Sequence, residues 1–324
     1  MSDYEHHTIN ANGIRIHYVA KGDGPLVVLC HGWPESWYSW RHQIDALADA
    51  GYRAVAPDMR GYGRTSRPEA VSAYDLTHLI GDIVGLVNAI GADKAVVVGH
   101  DWGAPVAWSS ALARPDLFRA VAGLSVPFRP PMALPPGISM SDLMRAQASD
   151  GDHYRLFFAD GRRAEADFEK DVRRYITGVL YSISGDIGPG KQFDGILKRG
   201  QNLTDALTVP DQLPDWVSPA DIEFYVAEFE RTGLTGGFNY YRNIDALPAC
   251  LAPFLGQTIE QPSFYIGGEF DLIAGNTPDA HQTMRASLPD LRGLHILEGA
   301  GHWIQRERAA TVSALLTGFL DGLF

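Results

Sequence analysis

The sequence predicts an α/β protein: a mostly parallel sheet flanked by helices, with a helical cap domain inserted into it. Three observations predict this. Continuous apolar runs alternate with helical patterns between Pro25 and Pro127, as parallel strands covered on both faces require. The proline-rich stretch VPFRPPMALPPG then breaks the rhythm and reads as a hinge rather than an element. Beyond it the patterns are mostly helical from about Met140 to Asp245, and strand-like text resumes at Pro262. The expected division is a first core segment over 1–127, a cap over 128–258 and a second core segment over 259–324.

The elements follow in order. TINANGIRIHYVA alternates around Asn12-Gly13, a dipeptide suited to a type I′ hairpin turn. PLVVLC, Pro25 to Cys30, is a strand. SWYSWRHQIDALADAG sets Trp37, Trp40, Ile44 and Leu47 at helical spacing before Gly51. YRAVAPD is a strand ending at Pro57. YDLTHLIGDIVGLVNAIGA is a helix closed by Gly91, and KAVVVGH is the next strand. A small-residue helix and the strand AVAGLSVP, Ala120 to Pro127, complete the first half. In the cap, SPADIEFYVAEFERTG is the clearest helix: Ser218 caps it, Pro219 sits in its first turn, Asp221 closes a capping box and Gly233 stops it. PSFYIGG and GLHILEG are the last strands. The final helix carries Val312, Leu315, Leu316, Phe319 and Leu323 on one face.

Composition narrows the function. The chain has 324 residues, 45% hydrophobic, enough for a large buried core. A net charge of −12 without a basic patch argues against nucleic acid. The start, MSDYEHHTIN, shows no signal-peptide pattern, and no apolar run approaches the ~20 residues that span a bilayer. A cytoplasmic protein without a membrane anchor is expected, with Cys30 and Cys250 unpaired. Oligomeric state is left open, a homo-oligomer included. GDIGPGKQ, Gly185 to Gln192, falls short of a phosphate-binding loop, because Gln192 stands where a hydroxyl is needed and no strand precedes it. His6-His7 has no metal-ligand spacing to other His or Cys residues.

The chemistry centres on AVVVGHDWGAPVAW. Its strand, G-x-x-x-G turn and helix match the nucleophile elbow, G-x-S-x-G, with Asp101 in place of serine. In the chain order such folds use, GGEFDLIAG supplies Asp271 and EGAGHWIQ supplies His302, each after a strand. LCHGWPESW, after the strand ending at Cys30, supplies the backbone N–H of Trp33 as one oxyanion donor; the backbone of Trp102 is the other. Singly, Asp101 is also a plausible helix N-cap, His302 a core histidine and Asp271 a turn former. Together they fall in the right order at strand ends, which favours catalysis. His31 and His100 adjoin the site and are expected to position loops.

Why an aspartate? A carboxylate, with an ordinary pKa near ~3.9, is ionised at neutral pH and needs no base to attack. It is a poor nucleophile towards esters and amides but an adequate one towards a saturated carbon with a strained or good leaving group. Attack there makes an alkyl ester on the enzyme, which water then cleaves at the carbonyl. Serine would leave an ether that water does not remove. His302 is then the base that activates water, oriented by Asp271. Alkyl halides and epoxides both fit. An opened epoxide leaves as an alkoxide and needs an acid, for which tyrosine, pKa ~10, is suited.

The stretches HGWPESWYSWRHQI, DMRGYGRTSRP, GHDWGAPVAW, DHYRLFF, FNYYRNID and GHWIQ together resemble the soluble epoxide hydrolase branch of the α/β-hydrolase superfamily. The likeness runs from the first hairpin to the last helix. The core motifs are shared with haloalkane dehalogenases, the alternative reading; the cap motifs discriminate better. A catalytically silent scaffold of this fold would be marked by loss of a triad member, and none is lost. The resemblance implies an α/β-hydrolase core with a cap, no cofactor and no metal. It also implies conversion of an epoxide and water to a vicinal diol. In this family two cap tyrosines hold the epoxide oxygen, and Tyr154 and Tyr241 are the matching positions. Trp102, Phe157 and Tyr240 are expected to touch a small apolar substrate, with Phe158, Trp216 and Phe238 adding to an apolar pocket.

Overall fold

The computed structural model describes residues 4–272 and 275–324. Strands β1 (Glu5–Ala11) and β2 (Ile14–Lys21) form a hairpin whose two turn residues, Asn12 and Gly13, have φ of 48° and 75°. Positive φ at both positions is the type I′ geometry expected of this dipeptide. Strands β3 (Leu26–Cys30), β4 (Arg53–Pro57), β5 (Ala95–His100) and β6 (Phe118–Leu124) follow, separated by helices α1 (Arg41–Asp49), α2 (Leu76–Ile90) and α3 (Gly103–Ala113).

A long insertion comes next. It holds α4 (Met140–Ala148), the short strands β7 (Asp152–His153) and β8 (Ile196–Leu197), and helices α5 (Tyr154–Ala159), α6 (Arg163–Phe168), α7 (Val172–Ser182), α8 (Leu203–Ala206), α9 (Pro219–Thr232), α10 (Thr235–Arg242) and α11 (Leu247–Leu251). The capping box of Ser218 and Asp221 at α9 is formed as the sequence predicts. The chain then returns to the sheet through β9 (Ser263–Gly268), α12 (Pro278–Ser287), β10 (Leu291–Leu297), α13 (Ile304–Glu307) and α14 (Ala309–Asp321).

The main sheet has eight strands in the order β1-β2-β4-β3-β5-β6-β9-β10. The pairs β1–β2 and β2–β4 are antiparallel, and the remaining neighbours are parallel. From β3 the chain crosses one way to β4 and then back past β3 to β5. The loops after β3 and β5 therefore diverge from a topological switch point, where open α/β sheets form their ligand crevice. Alternation along β5 sends Val97 to one hydrophobic core and Val96 and Val98 to the other, across the sheet. The first of these cores continues into the insertion, where it includes Tyr154, Phe158 and Tyr241.

Two boundaries differ from the sequence expectation. Trp37–Trp40 is a 3₁₀ turn, with the Ser36 side chain accepting from Tyr38 N–H, and α1 starts only at Arg41. Both tryptophans are buried all the same, since residues three apart line up in a 3₁₀ turn. In α14 the buried row is Val312, Leu316, Phe319 and Leu320; Leu323 lies beyond the helix. Cys30 is buried, Cys250 half-buried, and both are free thiols. Among the described residues, no helix is long and apolar enough to cross a membrane.

The start of α3 lies so close to β3 that a Cβ on Gly103 would penetrate the carbonyl of Cys30. Gly318, in α14, faces open space. Gly103→Ala should therefore destabilise the fold by about 1–3 kcal/mol, the usual cost of overpacking. Gly318→Ala should be neutral or stabilising by up to ~1 kcal/mol, because alanine restricts the unfolded chain. Thermal melts of the two variants beside the parent test this. Equal shifts would contradict the packing described for the start of α3.

Candidate active site

Strand β5 is buried along its whole length and ends at His100, while α3 begins at Gly103. Asp101 turns the chain between them with φ of 50°, a left-handed conformation uncommon outside glycine. This sharp strand-to-helix turn holds the Asp101 carboxylate at the C-terminal edge of the sheet. Trp33, in the loop after β3, donates its backbone N–H to Asp101 Oδ1 at 2.7 Å. Trp102 is the N-cap residue of α3 and follows the carboxylate directly.

On the far side, His302 Nε2 lies 3.4 Å from Asp101 Oδ2, and His302 Nδ1 lies 2.9 Å from Asp271 Oδ2. The first contact is an ion pair rather than a well-formed hydrogen bond; the second is a hydrogen bond. Asp101, Asp271 and His302 are all buried. Burial alone would push the Asp101 carboxyl up, but His302, the charge of His100 and the Trp33 N–H outweigh it and hold Asp101 below the usual carboxylate range. Burial opposes charge on His302 too. The two carboxylates prevail and hold its pKa well above the ordinary histidine value. The resting site is therefore an aspartate anion against an imidazolium.

The loop carrying His302 is pinned from several directions. Its backbone N–H donates to Ile183 O at 2.9 Å. Its carbonyl accepts from His100 Nε2 and Ser125 Oγ, both at 2.8 Å. The Glu307 carboxylate collects the N–H groups of Gly185, Gly301 and Trp303. Glu35 is almost fully buried and accepts from Gly32 N–H, His100 Nδ1 and Gln305 Nε2. Burial would raise the Glu35 carboxyl, but the charge of His100 keeps it low. His31 donates from Nδ1 to Gly32 O and accepts Met59 N–H at Nε2. Both histidines thus brace loops, as the sequence predicts. Glu35, Ser125, Gln305 and Glu307 are not marked by any nucleophile or base motif. Their signal is chemical: polar side chains in stretches that the fold buries.

The insertion brings its aromatic residues over these loops. Tyr154 opens α5 and Tyr241 lies in α10, yet their ring centroids are 6.2 Å apart. Tyr241 stands edge-on to Trp102 at 5.3 Å and to Trp33 at 6.0 Å. Three residues expected at the substrate pocket have other partners in the structure. Phe157 has the Arg163 guanidinium over its ring at 4.8 Å. Its neighbour Phe158 is the ring against Trp33 and Tyr241, because successive helical residues point about 100° apart. Tyr240 spends its hydroxyl on the Arg60 carbonyl at 2.9 Å and reaches the site only through its ring, 5.7 Å from Trp102. Trp216 bonds Asp186 and stacks on Arg306 at the seam between insertion and core.

The whole arrangement is that of an α/β hydrolase, and a family profile described as alpha/beta hydrolase fold matches residues 25–175. An epoxide hydrolase of Caballeronia sordidicola is 44% identical over 313 residues, covering 96% of this chain and 92% of that one. Epoxide hydrolase B of Mycobacterium tuberculosis is 39% identical over 350 residues, covering 98% of each chain. The solved structure of an epoxide hydrolase from an endophytic Streptomyces superposes with a TM-score of 0.94 at 44% identity, covering 100% of this chain and 97% of that chain. This chain belongs to the epoxide hydrolase family.

The charge balance of the site has a measurable consequence. The raised pKa of His302 means its charge stabilises the fold fully below about pH 6.5, an effect lost as pH rises through the folded value. Asp101 contributes in the opposite direction, fully above about pH 3.9, and loses that contribution as pH falls. Asp101→Asn removes one of the two anions beside His302. The imidazole pKa should fall, read from the pH dependence of its ring proton shifts by NMR. A value unmoved by the substitution would show that Asp101 does not support the imidazolium.

Proposed function

We propose that this chain hydrolyses epoxides to vicinal diols through an ester on Asp101, with residues 128–258 acting as the cap that supplies the acid. The observation that carries the proposal is the meeting of two tyrosines, 6.2 Å apart between ring centroids, above a buried carboxylate elbow. A halide leaves unprotonated and needs only weak hydrogen-bond donors, whereas an epoxide oxygen needs the proton. This favours epoxide over alkyl halide. The rings of Trp33, Phe158 and Phe238 around Tyr241 favour an apolar substrate. The free thiols fit a reducing compartment such as the cytoplasm.

The proton account closes. In the resting site Asp101 is an anion, His302 a cation, and the tyrosines neutral. Asp101 attacks an epoxide carbon, the C–O bond breaks, and the oxygen takes a proton from a tyrosine. Esterification removes the negative charge of Asp101, so His302 loses one of the two charges that held its proton. It gives that proton up through solvent to the phenolate and becomes a neutral base. Water then attacks the ester carbonyl, its proton passing to His302. The Trp33 and Trp102 N–H groups face the oxyanion. The diol leaves, and Asp101 and His302 return to their resting charges.

Two outcomes test the sequence of events. His302→Gln should still form the ester, so mass spectrometry should find protein carrying one substrate mass, while Asp101→Ala should carry none. In heavy-oxygen water, a single turnover of the parent should label Asp101 rather than the diol. Label confined to the diol would mean direct hydration.

The acid is tested separately. Tyr154→Phe and Tyr241→Phe should each slow ester formation by up to about 10²–10³, the usual cost of removing a donor aimed at developing charge. Each single loss is expected to be smaller if one tyrosine substitutes for the other, and the double variant should lose more than either. Diol formation from epoxides, run beside halide release from alkyl halides, decides the substrate class. Halide release without diol formation would establish the dehalogenase reading instead.

A further inference from the structure

The two tyrosines are not equivalent. Arg155, next to Tyr154 at the start of α5, donates from Nε to the Tyr154 hydroxyl oxygen at 3.0 Å. Its guanidinium carbon lies 5.5 Å from the Tyr154 ring centroid. The hydroxyl of Tyr154 accepts that N–H, so its own hydrogen is directed away from the guanidinium. Among the described residues, none donates a hydrogen bond to the Tyr241 oxygen. Burial raises its pKa well above the phenol value, and the Asp101 and Tyr154 charges add to the effect. Arg155 itself stays charged despite burial, supported by Tyr154, Tyr241 and Asp101.

We propose that Arg155 is a positioning residue that makes Tyr154 the proton donor to the opened epoxide oxygen and leaves Tyr241 as a hydrogen-bond donor that keeps its proton. This rests on the epoxide reading above. In the step concerned, an Asp101 oxygen bonds to the epoxide carbon and the C–O bond breaks. The freed oxygen takes the Tyr154 proton. The phenolate so formed faces the Arg155 N–H, and a hydrogen bond from a cation to a neutral oxygen becomes one between opposite charges, stronger in the product of proton transfer than before it. Only an interaction that strengthens along the reaction speeds it. The proton later returned by His302 restores Tyr154. A phenolate at Tyr241 would instead form in a buried place against the Asp101 side of the site.

The experiment is a double-mutant cycle on single-turnover rates. Arg155→Met in the parent should slow ester formation about 10- to 100-fold, the worth of one hydrogen bond to a charged group, and leave hydrolysis of the preformed ester unchanged. In a Tyr154→Phe background the same substitution should have no further effect on ester formation. In a Tyr241→Phe background it should keep its full effect. Arg155→Lys should recover part of the rate. Arg155→Gln, neutral but still able to donate, should lie between Met and Arg, and provides the comparison if the Met variant melts early. Equal effects in both tyrosine backgrounds, an effect confined to ester hydrolysis, or no effect at all would overturn the assignment of Arg155. A parent enzyme that forms no ester with any epoxide would overturn the underlying reading as well.

Discussion

The structure turns on keeping a carboxylate charged where water has been removed. Asp101 is 8% exposed and sits at the end of a buried strand. Burying an unpaired charge costs several kcal/mol, so the carboxylate must be compensated on every side or become protonated. The compensation comes from three separate parts of the chain: Trp33 N–H after β3, His302 after β10, and the partial positive end of α3. Each source lies at the C-terminal edge of the sheet, where the switch between β3 and β5 opens a gap between neighbouring loops. The fold therefore selects where such a carboxylate is tolerable.

On the function proposed above, that compensation carries its own cost, because His302 must be charged to hold Asp101 and neutral to activate water. One event satisfies both. In the proposed mechanism, covalent attack converts Asp101 from an anion to a neutral ester, so the imidazolium loses one of the two charges that hold its proton when a base becomes useful. For this to work, the imidazole must stay in place while its charge changes. The buried network supplies that constraint. His100 and Ser125 hold the carbonyl of His302, Glu35 holds His100 in turn, and Glu307 holds the N–H groups on both sides of His302. These contacts fix the loop through its backbone, and none of them depends on the protonation of the His302 ring.

Much of this was legible in the sequence, for identifiable reasons. The elbow, Asp271 and His302 announce themselves because strand ends and tight turns leave local marks: an apolar run, a glycine pair, a polar residue at the break. The type I′ hairpin and the capping box of α9 are local in the same sense. What was not legible depends on direction in space. Adjacent residues of a short helix point to different surroundings: of Phe157 and Phe158, both expected at the pocket, Phe158 packs on Trp33 while Arg163 covers the Phe157 ring. Tyr240 and Tyr241 differ by one position, and only packing shows that one clamps a carbonyl while the other faces Trp102. Glu35 and Gln305 form contacts across 270 residues, which no local pattern encodes.

The height of the tyrosine pair above the carboxylate is set by backbone contact rather than by side-chain reach. The first turn of α10 presents Gly236 against the loop at Gly61, and a Cβ at either position would strike the backbone of the other segment. Two glycines facing each other let the helix settle at backbone contact distance. The Tyr240 hydroxyl then bonds the Arg60 carbonyl, one residue before Gly61, and Asn243 bonds the carbonyl of Val71. With both flanks of α10 tied to the core, Tyr241 has little freedom left except about its own side-chain bonds. Tyr154 approaches from a different helix and is held by Arg155 instead. The tyrosine pair, the acid in the proposed mechanism, is thus fixed from two independent directions. A carboxylate nucleophile, which cannot be moved toward its target by a base, requires its electrophile to be held in this way.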